Sequence, residues 1–229
     1  MELKSGPTVN KFTAIISIIV IGSFWGLLEM ALGGFLHTVH FAQTGAVMGG
    51  IAISLMAGFL LITKQPLMIP LVGVIAASFK PFSALIYGQA VISPYVVNPA
   101  VAIVLEAVAF STVAVVLAKS MHRHLYATAG AGFLAGAFGV VFYAVTASIF
   151  GMGKWPMLDL PTKIHTIYNT GVPIAVAGAV SMLIGSYAGK VSLPKLSNLW
   201  DLRPASYYIA STALIILCWL IPPVFHLGN

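Results

Sequence analysis

Three charged side chains stand inside apolar runs of this chain: Glu29, Lys80 and Glu106. A charge near the centre of a membrane helix costs about 2.5–3.5 kcal/mol on insertion scales. Each of the three therefore needs a partner or a purpose. One chemistry is mutual: Lys80 pairs with Glu29 or Glu106, and the pair locks helices together. The other is recognition. Two carboxylates against one lysine leave a net negative cluster that can hold a solute or ion, with a preference for a cationic or amine-bearing one. The two chemistries are compatible, because one ion pair can orient the second carboxylate. Pro81 follows Lys80, removes an amide, and leaves the carbonyl near Ala77 without its usual donor. Broken backbone at membrane depth is tolerated where it lines a cavity or is buried in protein; a simple kink gives the same pattern.

Histidines and aromatic residues form a second set of candidates. His37 and His40 make an H-x-x-H that could share a metal or present one ring to a haem iron, although interfacial polar residues look the same. His122 and His124 flank Arg123 in a turn, and His226 is near the end. Three polar-aromatic segments recur between apolar runs, at 37–43, 88–98 and 151–170. The second holds Gln89, Ser93, Pro94, Tyr95 and Asn98. The third holds Trp155, Pro156, Asp159, Pro161, His165, Tyr168 and Asn169. Tyr95, Asn98, Trp155 and His165, with His37, are the expected cover of a site. An aromatic belt at the membrane boundary is the simpler explanation of such residues.

The elements that must position these residues follow from composition. Charged residues make up 7% of the 229 residues and hydrophobic ones 59%, against roughly 25% charged in ordinary soluble domains. Mean hydropathy is +1.01. A soluble enzyme and a disordered chain are both excluded. Apolar runs at 12–36, 44–63, 67–88, 99–118, 125–150, 171–189 and 205–225 each approach the length of a membrane span. The expectation is an all-α polytopic bundle of six to seven transmembrane helices, one domain over 1–229, multi-pass in the cell membrane. The first run carries Glu29, lacks a cleavage site and reads as a retained helix. The seventh ends in Pro222-Pro223 and is either a span or a peripheral helix.

Basic residues orient the bundle. With the amino terminus inside, Lys4, Lys11, Lys64, Lys119, Arg123, Lys190, Lys195 and Arg203 fall on the inner side. Only Lys154 and Lys163 fall outside. That asymmetry is the positive-inside pattern, and it accounts for the net charge of +6 through lipid headgroups, without nucleic acid. Counting 1.5 Å per residue from the outer helix ends puts Glu29, Lys80 and Glu106 at one depth, roughly 10–12 Å below the outer surface. Each lies in a stripe of small residues: Gly22, Gly26, Glu29, Gly33 and His37; Gly73, Ala76, Lys80 and Ala84; Asn98, Ala102, Glu106 and Ala109. Small stripes let helices approach closely in membranes, so the charges should point into the bundle.

No H-E-x-x-H, G-x-S-x-G, paired-aspartate protease pattern or P-loop is present, so no catalysis is expected. Cys218 is the single cysteine, which leaves no internal disulfide and no CxxC. No resident cofactor or metal is expected.

The layout resembles the substrate-binding S components of energy-coupling factor transporters. The residues that carry the likeness are Gly22-x-x-x-Gly26, Gly73-Val-Ile-Ala-Ala-Ser-Phe-Lys80 and Ala102-Ile-Val-Leu-Glu106-Ala, with the three polar-aromatic segments in the positions of the site-covering loops. The resemblance spans residues 12–190. It implies a membrane subunit that binds a micronutrient near the outer face. It also implies partners, a transmembrane coupling subunit docked on Gly22 and Gly26 together with ATPase subunits, besides membrane lipids. The seventh run departs from the usual six-helix pattern. The Met-His start of the nickel and cobalt members is absent, which argues against a metal substrate. The alternative function is a structural or haem-binding membrane anchor subunit of a larger complex.

Overall fold

The structure is a computed structural model. It describes residues 11–227 other than 87, 89, 122, 123 and 203, and of these not the side chains of 118, 119, 193–202 and 224–227. The expectations placed on Lys4, Gln89, His122, Arg123 and Arg203 lie outside the described residues, as do those on the side chains of Lys119, Lys195 and His226.

Apolar runs bounded by turn-forming residues become helices because hydrocarbon offers the backbone no other hydrogen-bonding partner. They are α1 (Lys11–Thr38), α2 (Thr44–Thr63), α3 (Ile69–Ala77), α4 (Lys80–Ile86), α5 (Pro94–Met121), α6 (Leu125–Ile149), α7 (Leu160–Leu202) and α8 (Pro204–Leu227). A short 3-10 turn, Pro66–Met68, leads into α3. With α3 and α4 it forms one span, Pro66–Ile86, so seven segments are long and apolar enough to cross a membrane. The chain is an all-α, multi-pass membrane protein.

Six helices close a ring in the order α1, α2, α7, α6, α5, α3, each packed on the next, and α8 lies outside against α1 and α4. Trp25, Phe59, Phe79 and Phe110 are fully buried with Ile53, Met56 and Val72. Lipid tails are as apolar as these side chains, so close packing rather than water exclusion holds the helices together. Glycine makes that packing possible between α6 and α7. A Cβ on Gly132 would strike the Gly178 carbonyl, and one on Gly178 would strike Ile53 and the Gly132 carbonyl. The two backbones touch there.

Two helices begin earlier than the apolar runs suggest. α5 starts at Pro94 rather than 99, so Tyr95 and Asn98 are helical. Pro99 withholds its amide only from the carbonyl of Tyr95, at the exposed helix start. α7 starts at Leu160 rather than 171, so His165, Tyr168 and Asn169 sit on a helix and not in a loop. Asp159 supplies the reason. Its Oδ1 accepts the Thr162 amide at 3.1 Å, capping the first turn, and Pro161 falls where an amide has no helical partner anyway. Hydrogen bonds from Thr162 hold the Asp159 carboxyl below the usual aspartate range.

α8 runs parallel to α1. Tyr208 Oη lies 3.2 Å from Thr13 Oγ1, Tyr207 Oη 3.2 Å from Ser17 Oγ, and Trp219 Nε1 donates to Ser23 Oγ at 2.9 Å. The Trp219 ring also packs on Phe79 at 4.5 Å. The seventh run is thus a long apolar helix alongside a span.

Two outcomes are expected. Gly132→Ala should destabilise the purified protein by about 1–3 kcal/mol, because a methyl group must displace backbone. Gly58→Ala, with open space around it, should leave the melting temperature nearly unchanged. The Asp159 cap, with its lowered folded pKa, should be fully present above the ordinary value of 3.8 and be lost as pH falls through the folded value. Protection of the Thr162 amide, measured against its intrinsic exchange rate at each pH, should fall over that window, and Asp159→Ala should lack this fall.

Candidate functional site

The break between α3 and α4 places the first charge. Pro81 has no amide for the Ala77 carbonyl, and α3 ends at Ala77. The chain turns through Ser78 and Phe79, where the Phe79 amide bonds the Ala76 carbonyl at 3.2 Å, and α4 restarts at Lys80. Lys80 thereby turns toward α1. Its Nζ donates to Glu29 Oε2 at 2.9 Å and to the Glu29 carbonyl at 3.4 Å. Trp25 Nε1 donates to Glu29 Oε1 at 3.4 Å. Both carboxylate oxygens are met, and both side chains are about 10% exposed. This is a satisfied buried ion pair, and Glu29 is the partner of Lys80.

The same contact revises the role of Gly22 and Gly26. Their face was expected to receive a coupling subunit. A Cβ on Gly22 would lie 2.6 Å from Ile75 Cβ and 2.9 Å from the Val72 carbonyl. One on Gly26 would strike the Phe79 ring and lie 2.9 Å from the Ala76 carbonyl. α3 of the same chain fills this face, so no external helix can use it. The glycines bring α3 close enough for Lys80 to reach Glu29.

Glu106 takes a different place. It faces a cavity of about 260 Å³ inside the helix ring, between α2, α5, α6 and α7. Among the described residues two buried side-chain oxygens have no hydrogen-bond partner, Glu106 Oε1 and Ser93 Oγ. Glu106 thus sits in a hollow with an open acceptor. Gly49 and Gly139 make the room: a Cβ on Gly49 would lie 3.1 Å from Glu106 Oε1, and one on Gly139 would lie 3.5 Å from Glu106 Cα. Glu29 and α2 both border Gly33 of α1. A Cβ on Gly33 would lie 3.6 Å from Glu29 Oε2 and 3.8 Å from Met48 Cγ.

The rest of the lining is apolar or neutral: Ala102 on α5, Val140 and Tyr143 on α6, Thr166, Thr170 and Ile174 on α7, and Trp155. Trp155 belongs to the connection between α6 and α7 and meets Tyr143 edge to face, with centroids 6.4 Å apart. Gly151 and Gly153 precede it with φ of +67° and +58°, a conformation that glycine adopts freely. Asn98 supports this connection from α5, since its Nδ2 lies 2.9 Å from where a Gly153 Cβ would stand.

The predicted cover is only partly assembled. Trp155 lines the cavity, and Asn98 sits beneath the Trp155 connection. Tyr95 is 80% exposed and does not line it. His37 is exposed at the end of α1, and His40 stands in the following turn. His165 is exposed and bonds Asn169 one turn on, on the face of α7 away from the cavity lining. Glu29 and Lys80 are brought together, and Glu106 is kept apart from both. Because α5 starts early, Glu106 lies about 18 Å along that helix from its start, deeper than the expected 10–12 Å. Among the described residues no cluster of three or more metal-ligating side chains occurs.

Residues outside the sequence expectation complete the site: Gly45, Gly49, Gly136, Gly139, Tyr143, Thr166 and Thr170. Their signal was present in the sequence. Gly45-x-x-x-Gly49 and Gly132-x-x-x-Gly136-x-x-Gly139 have the same helical spacing as the small stripes around the three charges.

No family model, no curated protein and no solved structure matches the chain.

The ion pair makes a test in stability. Lys80→Met alone should cost about 3–5 kcal/mol, because it strands a buried carboxylate. The double change Glu29→Gln/Lys80→Met should recover much of that loss. Detergent unfolding of the three proteins reads the difference, and a double variant no more stable than Lys80→Met would remove the pair as the lock on α1, α3 and α4.

Proposed function

We propose that this chain is a solute-binding subunit of a micronutrient importer in the cell membrane, and that its site is the cavity in front of Glu106. The observation that carries the reading is the buried Glu106 oxygen with no partner, facing about 260 Å³ of space within the ring. A buried acceptor left without a donor costs about 1–3 kcal/mol, more when charged. A solute that supplies the donor removes that cost. The volume lies at or below the lower end of small-molecule sites, roughly 300–1,000 Å³, and favours a small solute.

The position of the cavity supports the same reading. Gly45 at the start of α2, Trp155 before α7 and Thr166 near the start of α7 bound it at one end of the bundle. The distribution of basic residues marks that end as the outer one. Trp155 stands at this end of the cavity on a connection that carries Gly151 and Gly153 with positive φ. The coupling and ATPase partners that the resemblance implies would supply the energy for accumulation against a gradient. With the Gly22 and Gly26 face filled, the coupling partner docks on another surface.

Mass spectrometry of small molecules released from the purified protein tests this. The unaltered chain should release a stoichiometric solute. Glu106→Gln should lose the ionisable carboxyl group and Gly49→Ala should narrow the space beside it, so both should fold and release none. A solute retained by both variants would place the site elsewhere, and no solute from any of the three would remove the binding function.

A further inference from the structure

The charges around the cavity narrow the class of solute, given the binding function just proposed. Glu29 is balanced by Lys80 at 2.9 Å. Among the described residues Glu106 has no such counterpart, and no described Lys, Arg or His lines the cavity. The ring interior therefore carries one carboxyl group without a counter-charge, in front of a space walled by alanine, glycine and β-branched residues and by Tyr143 and Trp155. An anionic solute would meet a carboxylate there and no cation. A neutral solute would give the buried carboxyl group a hydrogen bond but no positive charge to hold its ionised form. A cation satisfies both the charge and the open acceptor, and a charge-assisted hydrogen bond is about twice as strong as a neutral one.

The aromatic residues fix the shape of the remainder. Tyr143 and Trp155 meet edge to face, and both line the cavity. Their ring faces attract cations and pack against flat apolar groups. Thr166 and Thr170 give a second, weaker polar point one turn apart on α7. Thr166 already donates to the Thr162 carbonyl at 2.8 Å, so its oxygen is left to accept. Glu106 Oε1 and the Thr166 oxygen are thus both open to donors on the solute.

We infer that the cavity takes a small organic monocation, an N–H-bearing amine or amidine joined to a flat apolar body. The nitrogen donates to Glu106 Oε1 and the body lies against Tyr143 and Trp155.

The test uses three probes of one shape and different charge: phenethylamine, phenylethanol and phenylacetate. Each is titrated into the full chain in nanodiscs, and into empty nanodiscs to measure partition into lipid. Phenethylamine should bind saturably with a Kd of about a millimolar, the range expected for a fragment of this size. Glu106→Gln should weaken it by about tenfold or more. Phenylethanol and phenylacetate should show only the uptake that empty nanodiscs show. Binding of phenylethanol or phenylacetate as tight as the amine, and dependent on Glu106, would overturn the cation and keep the site. Amine binding unchanged by Glu106→Gln would overturn the assigned contact. No binding of any probe to a protein that still releases its own solute would overturn the solute class alone. No binding together with no released solute would overturn the binding function as well.

Discussion

A carboxylate carried into an apolar bundle must be met by a donor, and the chain answers that demand in two different ways. Glu29 is met from within, by Lys80 and by the Trp25 indole. Glu106 is left with a buried oxygen that nothing in the described chain meets. The first carboxylate is part of the scaffold. The second is held ready by it, because the helices that would otherwise collapse onto Glu106 are kept apart at that level and together elsewhere. The binding function proposed above rests on this asymmetry.

Glycine produces both halves of it. At Gly22, Gly26, Gly132, Gly178 and Gly185 a neighbouring backbone or ring occupies the place of the missing side chain, and the helices are drawn together. At Gly49 and Gly139 the missing side chain leaves room in front of Glu106. Gly136 serves both ends: a Cβ there would lie 2.8 Å from the Ile174 carbonyl, and the residue also lines the cavity. Helical spacing alone does not separate these uses. What separates them is whether the facing helix presents backbone or a long polar side chain at that level.

The amino-acid sequence made the helices legible because each span must satisfy its own backbone and cover itself with apolar side chains. The α2 boundaries, 44–63, were read from composition alone and match. The starts of α5 and α7 were not, because a cap such as Asp159 and an early proline extend a helix beyond its apolar run. The three charges stood out by cost. Their arrangement did not, since a kink at Pro81 decides which carboxylate Lys80 reaches. Tyr95 and His165 looked like cover because they were assigned to loops. Once helical, each points where its turn of the helix dictates, and that is away from the cavity. Tyr143, Thr166 and Thr170 sit in apolar or ordinary contexts that only the ring order of the helices brings to Glu106.

The carboxyl group of Glu106 offers the most direct measurement. Infrared difference spectra of the protein in lipid, taken as phenethylamine is added, report which carboxyl group changes its surroundings. The expected result is a carboxyl band that shifts on binding in the unaltered chain and disappears from the difference spectrum of Glu106→Gln. A difference band that persists in Glu106→Gln, or a bound amine that perturbs no carboxyl group at all, would contradict it.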